Sequence, residues 1–205
     1  NWSLGLAGSL RVSGRFTPFE DVSGPLTYKP GLEGRIRGGI DGLVGSSRLS
    51  AALTYSTFGD DQFGQGTTVR GQYSPGARWV VETALLAPVG GSTLSLSLWN
   101  FKRNSGDTTG ASARNRENLA GADAMVAIPV TAGFSIEPLV AGRWSHPETG
   151  SGRMLGAGTG LQLRMGPWAS FAPSVRYDSG WVEDASGHRV DLSGVYLSAL
   201  IKLFP

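Results

Sequence analysis

The chain contains no cysteine, which excludes a disulfide-stapled scaffold and a thiolate metal site. Charged residues are also few: Asp, Glu, Lys and Arg make up 17% of the chain, and the formal net charge is +2. This slight basic balance, without a Lys/Arg cluster, does not indicate a nucleic-acid partner. Only two histidines are present. The sequence therefore predicts no nucleic-acid partner, no cofactor, no metal site and no catalytic residue.

A long apolar run is absent as well. The longest uncharged stretch, 83–101, contains Pro88, the pair Gly90-Gly91 and a Ser/Leu alternation over 95–98. A membrane-spanning helix would be predominantly apolar over about 20 residues. This stretch instead predicts two strands joined by a turn.

What the chain does have is 31 glycines and a two-residue alternation that recurs almost from end to end. A period of two is typical of a β-strand with unlike faces. In the segment 134–145, one face carries Phe134, Ile136, Pro138, Val140 and Trp144, and the other carries Ser135, Glu137, Arg143 and Ser145. The ten residues between its two outermost aromatic positions rise about 25 Å along the membrane normal, at ~3.3 Å per residue and a tilt of ~40°. That height matches the apolar band of an outer-membrane barrel.

Alternation alone does not say which face meets water, so a soluble sandwich or lipocalin-like barrel is the alternative. Two features favour lipid on the apolar face. The polar face is rich in Gly, Ser and Ala rather than in the Lys, Glu and Thr of soluble strand surfaces. Bulky aromatic residues also lie near the predicted strand ends, as in interfacial girdles. The predicted membrane-interface aromatics are Tyr55, Tyr73, Trp79, Phe134, Trp144, Trp168 and Tyr177.

This pattern resembles the bacterial outer-membrane β-barrel superfamily, porin-like in general and without a specific family. The resemblance covers nearly the whole chain and implies an all-β fold: one transmembrane, antiparallel, up-and-down barrel domain over 1–205. Eleven alternating runs are visible, whereas single-chain bacterial barrels have an even number of strands. The two halves of the chain also disagree about which connections are long, so one strand is missed or counted in excess, within 15–30 or 59–91. Twelve strands are therefore the first expectation and ten the second. The resemblance also implies the bacterial outer membrane as the location, with the signal peptide already removed, and membrane lipid and lipopolysaccharide as partners.

Charged residues in phase with the polar face are predicted to line the interior. They are Glu33, Arg35, Arg37, Asp41, Arg48, Arg70, Glu82, Asp123, Glu137, Arg143, Arg164 and Arg176. Buried charges must be paired or must meet water. An excess of arginine therefore predicts a narrow, porin-like passive channel for small polar or anionic solutes. The alternative is an interior plugged by Arg–carboxylate pairs.

Two further hypotheses about the function remain open. A non-conducting barrel would serve as an anchor or subunit of an envelope assembly and would meet protein partners through loops 102–116 and 179–189. A lipid-modifying hydrolase or acyltransferase is a distant alternative, because Asp184, Ser186 and His188 are triad residue types in one polar loop. Since such residues are common in loops, the sequence predicts that the protein is not an enzyme.

Overall fold

The computed structural model describes residues 1–21, 24–65, 68–108, 116–148 and 150–203, and these form strands, turns and loops. The strands are β1 (Trp2–Arg11), β2 (Phe16–Asp21), β3 (Gly24–Lys29), β4 (Glu33–Val44), β5 (Ser47–Phe58), β6 (Asp61–Gln65), β7 (Thr68–Ser74), β8 (Arg78–Val89), β9 (Ser92–Arg103), β10 (Asp107–Thr108), β11 (Glu117–Thr131), β12 (Phe134–Ser145), β13 (Gly150–Arg164), β14 (Ala169–Asp184) and β15 (Arg189–Leu203). Among the described residues, no helix is long and apolar enough to cross a membrane.

The strands form two antiparallel sheets. The main sheet has ten strands in the order β1-β4-β5-β8-β9-β11-β12-β13-β14-β15, so each strand pairs with the next one of that sheet along the chain. The second sheet has five short strands in the order β10-β7-β6-β3-β2. Those five strands lie in the connections β1–β4, β5–β8 and β9–β11, which all leave the main sheet at the same end.

Tight turns join the main strands at the opposite end. Val44 pairs with Ser47, which leaves the two-residue turn Gly45-Ser46. Val89 pairs with Ser92 around Gly90 and Gly91, whose φ angles are +55° and +85°. Two successive residues with positive φ favour glycine and match the twist of the flanking strands. We refer to this end as the turn end and to the other as the loop end.

The described main sheet has ten strands, which is the second of the two expected strand numbers rather than the first, twelve. The two halves of the sequence gave opposite assignments of the long connections because residues 59–91 were counted as strands of the wall. In the structure, β6 and β7 of that segment belong to the second sheet. In the described chain no pairing joins β1 to β15, so closure of the main sheet is not among the observed contacts.

Two predicted loops are also shorter than expected. For 102–116, β9 continues through Arg103 and β10 pairs with β7; residues 109–115 lie outside the described residues. For 179–189, β14 continues to Asp184 and β15 begins at Arg189, so only 185–188 connect the two strands. The physical reason is strand pairing: residues 179–183 bond to β13 and β15 on both sides.

The main sheet has unlike faces and almost no closed apolar core. Among the described hydrophobic residues only Ala141 and Ala169 are buried. Large apolar side chains are exposed instead, such as Leu4 at 83%, Val140 at 56% and Leu197 at 79%. So much exposed apolar surface is rare in soluble monomers and marks contact with a partner or a membrane. We call the side of the sheet that carries Leu4, Val140 and Leu197 the apolar face, and the other side the charged face.

Candidate functional site

The charged face is the candidate functional site, and the strand register defines it. Residues directly opposite one another in an antiparallel pair point to the same side. The register places eleven of the predicted interior residues on this face: Glu33, Arg35, Arg37, Asp41, Arg48, Glu82, Asp123, Glu137, Arg143, Arg164 and Arg176. Arg70 is the exception and is corrected, because it lies on β7 of the second sheet.

One ion pair on this face crosses a whole strand. Arg37 on β4 and Glu82 on β8 flank β5, and Arg37 Nη2 lies 2.8 Å from Glu82 Oε2. Arg37 also donates a 3.3 Å hydrogen bond to Thr54 Oγ1 on β5. Both charged side chains are about half exposed, at 52% and 47%. The charges are therefore paired and still reach solvent.

A second pair is built into a more closely packed cluster. Arg143 Nη2 donates a 2.7 Å bond to Asp123 Oδ1, and Arg143 Nη1 donates to the carbonyls of Ala122 and Gly142. The Arg143 guanidinium also lies 5.6 Å from the centre of the Trp99 ring. Carboxylate, carbonyls and ring together fix the position of this arginine.

The alternating glycines of β13 lie beneath a third pair. Arg176 donates two bonds to the buried carboxylate of Asp178, at 2.7 and 2.8 Å. A Cβ on Gly156 would stand 2.0 Å from Asp178 Oδ1, and one on Gly158 would stand 2.2 Å from the Val175 carbonyl oxygen. These glycines provide the space in which the Arg176 and Asp178 side chains lie.

The remaining predicted charges lie nearer the strand ends. Arg48 donates three hydrogen bonds to the Asp41 carboxylate near the turn end, the shortest at 2.8 Å. Arg35 pairs with Glu33 at 2.8 Å near the loop end. Most arginines of the charged face are therefore neutralised by a neighbouring carboxylate, which weakens the expected excess of positive charge.

Several site residues were missed by sequence reasoning. Arg103 pairs with Glu117 at 2.8 Å, but Arg103 fell inside the predicted loop 102–116 and Glu117 directly after it. Arg78, opposite Arg103, lies 4.5 Å above the Phe58 ring. The sequence did contain a signal for Arg78: it lies two residues before Val80 and four before Glu82, so the alternation places it on the same face as Glu82.

Small residues leave a hollow on the charged face between β1 and β9. Its volume is about 700 Å³, and Gly5, Ala7, Gly39, Ala52 and Ala84 line it together with the Arg37–Glu82 pair and Trp99. No side chain larger than alanine projects from those five positions. The hollow can hold water or a small solute beside one positive and one negative group.

The predicted interface aromatics separate into two sets. Tyr55, Trp79, Phe134, Trp144 and Tyr177 lie on the apolar face of the main sheet. Tyr55 and Trp79 are opposite each other, with ring centroids 4.3 Å apart. Tyr177 is near the middle of β14 rather than at its end. Trp168 is exposed in the β13–β14 turn, and Tyr73 is corrected to the second sheet.

The loop 184–188 does not have the geometry of a catalytic triad. Asp184 Oδ1 accepts bonds from Ser186 Oγ at 2.6 Å, from the Ser186 backbone N–H and from the His188 backbone N–H. The Ser186 hydroxyl, with the His188 N–H next, holds the pKa of Asp184 below its usual range. Ser186 thus donates to the aspartate, and His188 is joined to it through its backbone rather than its imidazole. The contacts stabilise a turn.

Hydrogen bonds to Asp61 join two connections of the second sheet at the loop end. Tyr28 donates a 2.8 Å bond to Asp61 Oδ2, and the Gly31 backbone N–H donates to Asp61 Oδ1 at 2.7 Å. The Tyr28 ring stacks on Phe63 with a centroid separation of 4.9 Å. Burial, with the bond to Asp61 second, raises the pKa of Tyr28 to about 12. In the described part of the chain, no group of three or more His, Asp or Glu residues could hold a metal ion.

Comparison with known proteins gives similarity at the level of fold. No protein-family model and no curated protein matches the chain. The solved structures that match include the outer-membrane-expressed OmpT of Vibrio cholerae, with a TM-score of 0.57, 9% identity and 93% of this chain covered. The in-vitro folded OmpT, an outer-membrane protein of the same organism, gives 0.54, 11% and 93%. This chain spans 64% and 63% of the lengths of those two chains.

The comparison also corrects one prediction. The sequence predicted that the protein is not an enzyme, and this prediction is withdrawn, because the matched structures are OmpT proteins and the fold shared with them gives no ground for excluding catalysis. The general resemblance to outer-membrane β-barrels is confirmed. The chain has an all-β antiparallel fold that is similar to the fold of these outer-membrane proteins.

Proposed function

We propose that the protein is integral to the bacterial outer membrane and that its main sheet forms the wall of a narrow, porin-like passive channel for small polar or anionic solutes. The segregation of the two faces carries the proposal. The apolar face exposes Leu, Val and Ile side chains to its surroundings, while the charged face holds ion pairs above a floor of small residues. Lipid suits the first face and water the second.

The lengths of the strands support a main sheet that spans the membrane. A transmembrane β-strand needs about 9–11 residues when tilted by ~45°. The shortest strand of the main sheet has 10 residues and the longest 16. The aromatic pair Tyr55 and Trp79 lies near the loop end of the apolar face, where a membrane interface would be.

The hollow favours a channel over a plugged interior. A plug requires side chains that fill the space above the sheet. On β1, β4, β5 and β8 the charged face instead presents Gly5, Gly39, Ala52 and Ala84, and the hollow above them measures about 700 Å³. The Arg37–Glu82 pair at its edge offers a solute one group of each sign, which suits polar as well as anionic molecules.

A non-conducting anchor is the second candidate. The second sheet is a folded surface built from three connections at one end, and Tyr28 and Asp61 hold two of those connections together. Folded loops of this kind can bind envelope partners.

The test is single-channel conductance of the refolded chain in a planar bilayer under a salt gradient. A channel gives discrete steps, and Ala84→Trp on the charged face should reduce their amplitude by about half or more, because a large ring enters the hollow. The matched variant Thr83→Trp, one residue away on the apolar face, should leave the amplitude unchanged. Stable insertion without current would contradict the channel and favour the anchor.

A further inference from the structure

The loop end of the charged face carries two neighbouring arginines that are incompletely paired. Arg78 on β8 and Arg103 on β9 are directly opposite in the register, which puts their Cβ atoms about 5 Å apart. Arg103 is only 15% exposed and pairs with Glu117. None of the ion pairs in the described part of the chain includes Arg78.

Both guanidinium groups also have an unused donor. The Nε atoms of Arg78 and Arg103 are buried and have no hydrogen-bond partner within the described residues. Buried donors of native proteins are almost always satisfied, so each unsatisfied one calls for an acceptor. Residues 109–115, which follow β10, contain no Asp or Glu, so that segment brings no carboxylate.

Phe58 determines how a ligand can approach Arg78. The guanidinium lies 4.5 Å above the centre of the Phe58 ring, which covers one flat side of the cation. The stacking holds the group in place and leaves the terminal Nη groups, which unlike Nε are not among the buried donors without a partner, as the edge that a ligand can reach. A planar or tetrahedral oxyanion accepts hydrogen bonds along such edges, often two at once.

We propose that Arg78 and Arg103, held by Phe58 and Glu117, form a binding site for an oxyanion such as a phosphate or carboxylate at the loop end of the charged face. Among the ion pairs of the described residues, Glu117 is the one carboxylate that compensates these two arginines, through Arg103. The inference rests on the proposed channel only for orientation: with the charged face toward water, the ligand is a solute and not a lipid headgroup. A site at Arg78 and Arg103 places anion selection at the loop end, away from the paired arginines in the middle of the charged face.

The test is calorimetric titration of the refolded full chain in detergent micelles with inorganic phosphate. Arg78→Gln should weaken phosphate binding at least tenfold, and Arg78→Lys should weaken it less, because the charge remains. The matched control is Lys102→Gln, which removes the same charge at the same end of β9 but on the apolar face. It should change the affinity less than twofold.

Two results would overturn the site: a wild-type chain that binds no phosphate, or equal weakening by Arg78→Gln and Lys102→Gln. Circular dichroism of each variant separates lost binding from lost folding, and Arg78→Lys provides the test if Arg78→Gln does not fold. Bilayer conductance on the same preparations separates this proposal from the channel. A silent wild type with the expected affinity pattern would reject the channel and support the site. A conducting wild type whose Arg78→Gln variant binds phosphate normally would reject the site alone.

Discussion

The Trp99 ring lies directly over its cross-strand neighbour Gly121, so that a Cβ on Gly121 would stand 2.5 Å from Trp99 Nε1. Gly121→Ala should therefore displace the ring from Arg143 and destabilise the fold by ~1–3 kcal/mol, the usual cost of overpacking. Gly38→Ala is the matched control, because Gly38 lies on β4, which is paired on both sides, and the nearest atom to the position of its Cβ is Leu6 Cδ1 at 4.0 Å. Urea unfolding in lipid vesicles measures both. Equal stability of the two variants would show that Trp99 moves without cost.

The Arg37–Glu82 pair should affect selectivity more than stability. Both side chains are about half exposed, and such a pair contributes only ~0–1 kcal/mol. Glu82→Gln leaves Arg37 uncompensated and should move the reversal potential toward anion preference; Arg37→Gln should move it toward cations. The double variant should return close to wild type. Shifts of the same sign in both single variants would contradict the pairing.

The second sheet should weaken at high pH. The pKa of its Tyr28 is raised to about 12 from the ordinary tyrosine value of 10.0. A group whose pKa is raised by folding stabilises the fold fully below the unfolded pKa, and this contribution is lost as the pH rises from about 10 to about 12. Ultraviolet absorbance should therefore show a late-titrating tyrosinate fraction that is absent in Tyr28→Phe. Superimposable normalised titration curves would refute the assignment.

Sequence periodicity predicted the faces of the strands well and their membership in a sheet less well. Val140 and Glu137 were assigned to opposite faces from alternation alone, as the register has them. The strand over 68–74 has the same alternation, so it was taken for a wall strand, although its 7 residues are too few to span a bilayer. Its length was the signal that excluded it. The Arg37–Glu82 contact joins residues far apart in sequence, and no local pattern predicts it.

Opposite faces of β12 should respond differently to a new charge. Val140 is 56% exposed on the apolar face, and the adjacent Leu139 points to the charged face opposite Gly158. A charge near the bilayer midplane costs up to ~2–4 kcal/mol on a lipid-facing position. Val140→Asp should therefore block insertion into vesicles, whereas Leu139→Asp should insert. Flotation of the vesicles with bound protein measures insertion. Equal insertion of the two variants would contradict the assignment of the faces, and insertion of Val140→Asp alone would reverse it.

The edges of the main sheet should meet in the membrane. Unpaired strand edges are not tolerated in lipid, because their backbone N–H and C=O groups find no partner there. The sheet has an even number of strands, so β1 and β15 run antiparallel, as a pair requires. Their charged faces are also complementary: β1 presents the small Ser3, Gly5 and Ala7, and β15 presents the large Tyr196 and Leu200.

Cysteine cross-linking can test this closure cleanly, because the chain has no cysteine of its own. Ala7→Cys would be combined with a cysteine at 194, 196, 198 or 200 of β15, and the oxidised pairs would be separated by gel electrophoresis. We expect an intramolecular bond, strongest for one partner and so fixing the register, because linkage within one chain gives a high effective concentration. A disulfide-linked dimer would mean that the edges join two copies, and no bond at any position would mean that β1 and β15 are covered by other strands.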